Sequence, residues 1–85
     1  MSSEAMQRAL AVKRRHEQEL MRKANVVAVG VGLRSRAGTL TGEICIVVSV
    51  RRKVPAADLS PADRIPAVLD GVPVDVQATG EITAL

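Results

Sequence analysis

The sequence contains no Phe, Tyr or Trp. Proteins that grip single strands or present RNA-recognition sheets stack bases on aromatic rings, so that mode of binding is closed to this chain. Cysteine occurs once, as Cys45, and no intrachain disulfide can form. Histidine also occurs once, as His16, and one Cys with one His does not make a zinc site. No metal or other cofactor is implied. No apolar run approaches the ~20 residues of a membrane span. No apolar stretch follows the N-terminal charges, as a secretory signal would require. A lone thiol suits a reducing compartment, and a cytoplasmic location is expected.

The chain has 85 residues, the size of one small domain. A domain of this size buries only roughly 60–65% of the surface its unfolded chain exposes, so its stability margin is thin. Rings, bridges and metal are all missing as reinforcement. Association with further copies is the remaining common means of support.

What is present is aliphatic: 47% of residues are apolar, and the core must come from Val, Ile, Leu, Ala and Met. The charge is uneven. Residues 1–25 carry six basic and three acidic side chains, while residues 26–85 are balanced, so the net +3 belongs to the N-terminus. A basic segment can attract nucleic acid, although a solvated helix face is the simpler reading, and nucleic acid is disfavoured as a partner.

The chain divides into a basic amphipathic helix within residues 1–25 and a β-β-α-β module over 26–85. The helix is expected over residues 3–24. Ser2 or Ser3 can cap it, Glu4 suits the first turn, and Asn25 can end it. Met6, Leu10, Leu20, Met21 and Ala24 fall on one stripe, interrupted by Lys13 and Glu17. Two apolar patches result. The second adjoins the first strand; the first, with Ala9 and Val12 nearby, lies further out. Twenty-two helical residues span about 33 Å, against a radius of gyration of about 10 Å for a 60-residue body. The outer half of the helix is therefore expected to overhang and to want a partner chain.

Two β-branched runs follow. In Val26–Leu33, Val27, Val29, Val31 and Leu33 point one way, while Ala28, Gly30 and Gly32 leave the other face almost without side chains. A helix or a neighbouring subunit can approach closely there. Residues 37–42 read as the hairpin loop. The second run, Glu43–Lys53, carries Ile44, Ile46, Val48 and Val50 on one face and Cys45, Val47 and Ser49 on the other. Such a strand is expected to be central and covered on both sides, with Cys45 a buried small hydrophobe. Ser60-Pro61-Ala62-Asp63 starts a short helix that Pro66 limits. Asp70-Gly71 is a tight turn. Val72, Val74 and Val76 alternate as a third strand, and Ile82 and Leu85 could add a last one. The expected fold is α+β, in the order α-β-β-α-β.

Catalytic machinery is not legible. A nucleophile needs a base and an orienting group, and His16 lies among charges on a helix. Asp58, Asp63 and Asp70 sit at expected caps and turns. The chain is read as non-enzymatic. The basic run Arg51, Arg52 and Lys53 is the sharpest polar feature. It is a candidate contact for an anion or an acidic partner, and edge protection at a strand end is the plainer alternative.

The combination Gly30-Val31-Gly32, Thr41-Gly42-Glu43, Val48-Ser49-Val50-Arg51-Arg52-Lys53, Arg64-Ile65-Pro66 and Leu69-Asp70-Gly71-Val72-Pro73-Val74-Asp75-Val76 resembles a small bacterial module. That module stands N-terminal to trypsin-like serine peptidase domains and also in short proteins. The resemblance covers about two thirds of the chain and brings no catalytic set with it. It implies a leader or docking role and not proteolysis, since the sequence ends at Leu85 without a peptidase domain.

The leading expectation is a self-associating module, with Met6, Leu10, Lys13, Glu17, Ala28, Gly30 and Gly32 at the interface. A detached regulator or inhibitor of a trypsin-like peptidase comes second. Nucleic-acid binding through the basic helix comes third.

Overall fold

The structure, a computed structural model, describes residues 3–37 and 39–79. The suggested strand at Ile82 and Leu85 and a cap at Ser2 lie outside the described residues. Helix α1 runs Ser3–Arg22, followed by strands β1 (Val26–Arg36) and β2 (Thr39–Val50). Two 3-10 turns, Ala56–Asp58 and Pro61–Asp63, lead to β3 (Val68–Leu69) and β4 (Val72–Ala78). The fold is α+β, as expected. The interior helix of the expected order is absent, because Pro61 and Pro66 leave room only for single turns.

The sheet order is β1-β2-β4-β3. β1 and β2 form an antiparallel hairpin, β2 and β4 are parallel, and β3 and β4 are antiparallel. β2 is central. Parallel pairing of β2 with β4 requires a crossover, which residues 51–67 provide. Ile65 on that crossover packs against the same core as α1, so helix and crossover share one face of the sheet.

The core is a single aliphatic layer. Ile46, Val48 and Val50 of β2 and Val72 and Val74 of β4 are buried against Ala9, Val12 and Leu20 of α1. Val29 and Val31 stand opposite Val48 and Ile46 and complete it from β1. The buried helical stripe thus differs from the expected one. At 3.6 residues per turn it is rotated by roughly a quarter turn. Met6 is 38% exposed and Met21 46%, whereas Ala9 is 1% exposed. Leu10 is half-buried and Ala24 is exposed. Ala9 is small and Val12 compact, and together they let the helix backbone sit close to the sheet. The N-terminal half therefore does not overhang; Ala9 and Val12 belong to the chain's own core.

Two further expectations fail at bulges. The β1–β2 register shifts between Val26 and Ala28. Val26 packs on the core and Val27 is turned out, 41% exposed. A bulge flips the faces of everything before it. A second shift lies between Leu33 and Ser35. It absorbs residues placed in the expected loop, so that Arg36 pairs with Thr39 and the turn is two residues long. Ala37 takes φ 50° in that turn, and Gly42 takes φ 83° within β2. β2 also stops at Val50, short of the basic run.

The two helix registers predict different stabilities. Leu20→Ala should destabilise by about 2–5 kcal/mol through the cavity it leaves. Met21→Ala should stay within about 0.5 kcal/mol. Thermal unfolding of the two variants measures the difference; equal losses would restore the alternative stripe.

Candidate interaction sites

The expected interface residues fall into two groups, which the fold places on opposite layers. Ala28, Gly30 and Gly32 stand opposite Ser49, Val47 and Cys45 on the sheet face away from α1. α1 and Ile65 pack on the other face, yet Cys45 is fully buried and Val47 and Ser49 are half-buried on this one. Its β4 side is polar: Asp75 stands opposite Val47, and the Gln77 amide donates to it at 3.0 Å. Arg34 and Glu43 form an ion pair at 3.1 Å beyond Cys45. Cys45 is fully buried in the sheet, and desolvation, with Asp75 nearby, pushes its thiol pKa up. The thiol is therefore a poor nucleophile.

A Cβ added to Gly32 would meet Val47 Cγ2 at 3.2 Å, a tight contact within its own sheet. Gly30 is different: a Cβ there would meet nothing within 4 Å. Among the described residues β1 is also an edge strand of the sheet. Between its two bulges the stretch Ala28–Leu33 carries no charge and no proline. Leu33 is 40% exposed at its end.

The helical group flanks this edge from the other layer. Arg8, Arg15 and His16 turn toward the β3–β4 turn, so the flank bearing Met6, Leu10 and Glu17 lies on the β1 side. Lys13 and Glu17 form an i,i+4 pair at 3.1 Å along it, a surface contact of a few tenths of a kcal/mol.

A polar cluster at Asp70 was not foreseen from sequence. Asp70 (φ 48°) and Gly71 (φ 82°) make the β3–β4 turn, the positive-φ pair that suits a two-residue hairpin. Asp70 Oδ2 meets His16 Nε2 at 2.9 Å and Arg15 Nη1 at 3.0 Å, and Arg8 Nη2 donates to the Asp70 carbonyl at 3.3 Å. The hydrogen bond from His16, with the charge of Arg15 beside it, holds the Asp70 carboxyl below its ordinary pKa. His16 is thus half-buried and engaged, not a free solvated side chain. The cluster fastens α1, from Arg8 to His16, to the far edge of the sheet. It also occupies two cations of the basic helix. Lys23, which donates to the Ala62 carbonyl at 2.6 Å, is a third.

The basic run lies in the bend after β2. α1 stops at Arg22, short of the expected Ala24, and Asn25, at φ 75°, lies in the turn into β1 and pins this bend. Its carbonyl accepts from Arg51 N–H at 2.9 Å, its Oδ1 accepts from Arg52 N–H at 3.3 Å, and its Nδ2 donates to the Arg52 carbonyl. Arg52 and Lys53 are thereby set at a half-open cavity of about 280 Å³; Arg51 is not among its lining residues. Val50, Val54, Leu59, Ile65 and Val76 give it aliphatic walls, and Arg64 and Asp63 complete it. Asp63 Oδ1 accepts from Ala24 N–H at 3.0 Å and Oδ2 from the Ser60 hydroxyl at 2.9 Å. These two bonds, the backbone one foremost, keep its pKa low and its charge fixed.

Among the described residues no helix is long and apolar enough to cross a membrane. The family model described as the NARROW LEAF 1 N-terminal domain matches residues 3–82, and the chain belongs to that family. No curated protein matches it.

The Asp70 cluster has a signed pH dependence. A carboxyl with a depressed native pKa contributes stability above its unfolded value of about 3.9, and the contribution is lost as pH falls through the lower native value. Asp70→Asn should therefore melt at a lower temperature than the unmodified chain near neutral pH. The gap should close below about pH 3.9. Melting curves from pH 7 to 2 measure it; a constant gap would show that the charge of Asp70 is irrelevant.

Proposed function

We propose that this member of the NARROW LEAF 1 N-terminal domain family is a non-enzymatic module that associates with copies of itself along β1. One observation carries the reading. Among the described residues β1 is an edge strand, and its central stretch, Ala28–Leu33, carries no charge and no proline. Natural sheets protect such edges with charge, proline, a bulge or a covering element, because the unpaired amides and carbonyls invite another strand. Here the bulges lie only at the two ends of the stretch, and the charges Arg34 and Arg36 come after it. The side-chain-poor face at Ala28 and Gly30 and the exposed Met6 and Leu33 border the same edge. A second copy would cover all of them. The oligomer number does not follow from this surface, since a two-fold contact closes and a head-to-tail contact runs on.

The family description, an N-terminal domain, favours a second reading. The module would then dock on a further domain or a separate protein, and the sequence resemblance points to a trypsin-like peptidase. On that reading the β1 edge receives a strand of the peptidase, and the chain alone runs as a monomer of 9.0 kDa.

Gly30→Val separates these readings. A Cβ at Gly30 meets nothing within 4 Å in the chain's own fold, and valine suits a strand. Self-association across that face predicts a shift to smaller particles on size-exclusion chromatography, with the melting temperature of the dispersed chain not reduced by the added methyls. An unchanged elution volume would remove this face from the interface.

A further inference from the structure

The cavity beside Asn25 is explained neither by the β1 edge nor by the core. The cavity lies where the end of α1, the bend after β2 and the crossover meet. Its size falls just under the range of about 300–1,000 Å³ typical of small-molecule sites, so any occupant is small. Its walls are aliphatic and its lining has no aromatic side chain to stack on, which disfavours flat heteroaromatic ligands. Arg52, Lys53 and Arg64 line it against one carboxylate, Asp63. Asp63 is held by Ala24 and Ser60 within the chain, and the Asn25 amide is held by the Arg52 backbone. The polar groups so engaged brace the walls. Arg52 and Lys53 set positive charge at the rim of this apolar hollow.

We propose that this cavity binds a small aliphatic carboxylate, with the hydrocarbon tail against Val50, Ile65 and Val76 and the carboxylate at Arg52 and Lys53. A guanidinium fork matches a carboxylate in a plane, and a lysine beside it adds a point charge. The tail supplies the rest of the affinity through aliphatic burial. Asn25 is a positioning residue here, because it fixes the backbone from which Arg52 projects. The assignment is independent of self-association and can be read on whatever particle the chain forms.

The probe is hexanoate, titrated into the full chain and followed by amide chemical shifts. Hexanamide has the tail without the charge, and inorganic phosphate has the charge without the tail. The proposal expects saturable hexanoate shifts at Val54, Leu59, Ile65 and Val76, with a Kd of about 1 mM or tighter. Hexanamide and phosphate should each bind at least about ten-fold more weakly. Arg52→Glu combined with Lys53→Glu should remove hexanoate binding while leaving the melting temperature in place, since both side chains are exposed. Leu59→Glu, which places a carboxylate in the hollow, should do the same. No saturable response at about 10 mM hexanoate would overturn the proposal. So would equal binding by the charge-reversed variant. A peptide ending in a leucine carboxylate is the last arm. If it binds where hexanoate does not, the site takes a chain terminus and the small-molecule assignment is wrong.

Discussion

The close seating of α1 on the sheet is the constraint from which the rest of the structure follows. Without rings the core has only aliphatic volume to fill, and an 85-residue chain has little of it. The available groups form one layer: Ala9, Val12 and Leu20 from above, Ile46, Val48 and Val50 from below. Ala9 matters because it is small. A larger residue there would lift the helix off β2, and the layer would lose its packing density. The Asp70 cluster secures the same seating from the side by tying Arg8, Arg15 and His16 to the β3–β4 turn.

The aliphatic groups of that layer all lie on the α1 side of the sheet. β2 presents Cys45 and Val47 on the other face, between a glycine-rich β1 and a polar β4. Small residues limit the apolar area exposed, and a Cβ at Gly32 would crowd Val47 within the chain. Gly30 has no such contact. An edge strand without charge at its centre, beside that side-chain-poor face, is the surface on which the proposed self-association rests. The cavity by Asn25 stands apart from this logic. It arises because a crossover built of single turns, not of an α-helix, cannot fill the end of the sheet.

Much of the fold was legible where local chemistry dominates. The alternation of β2 and β4, the turn at Asn25 and the Asp70-Gly71 turn are all dictated by residue type and backbone preference. The helix register was not, because Met6, Leu10 and Met21 are more hydrophobic than Ala9 yet fit the sheet less closely. Hydrophobicity alone cannot see that the sheet prefers a small residue. The faces of Val26 and Val27 were misread because a bulge resets the period of two, and nothing in a valine run marks it. The engagement of His16 required knowing that a turn 54 residues away would pass beneath the helix. Of the basic run, the positive charge was visible, but the aliphatic hollow beneath Arg52 and Lys53 depends on Ile65 and Val76, which are distant in sequence.

The solution mass across a dilution series is the most direct measurement of the central claim, that one aliphatic layer needs cover from a further copy. The account predicts a particle of at least two 9.0 kDa chains at micromolar concentration, whose dissociation on dilution lowers the melting temperature. A 9.0 kDa particle with the same melting temperature at every concentration would contradict it.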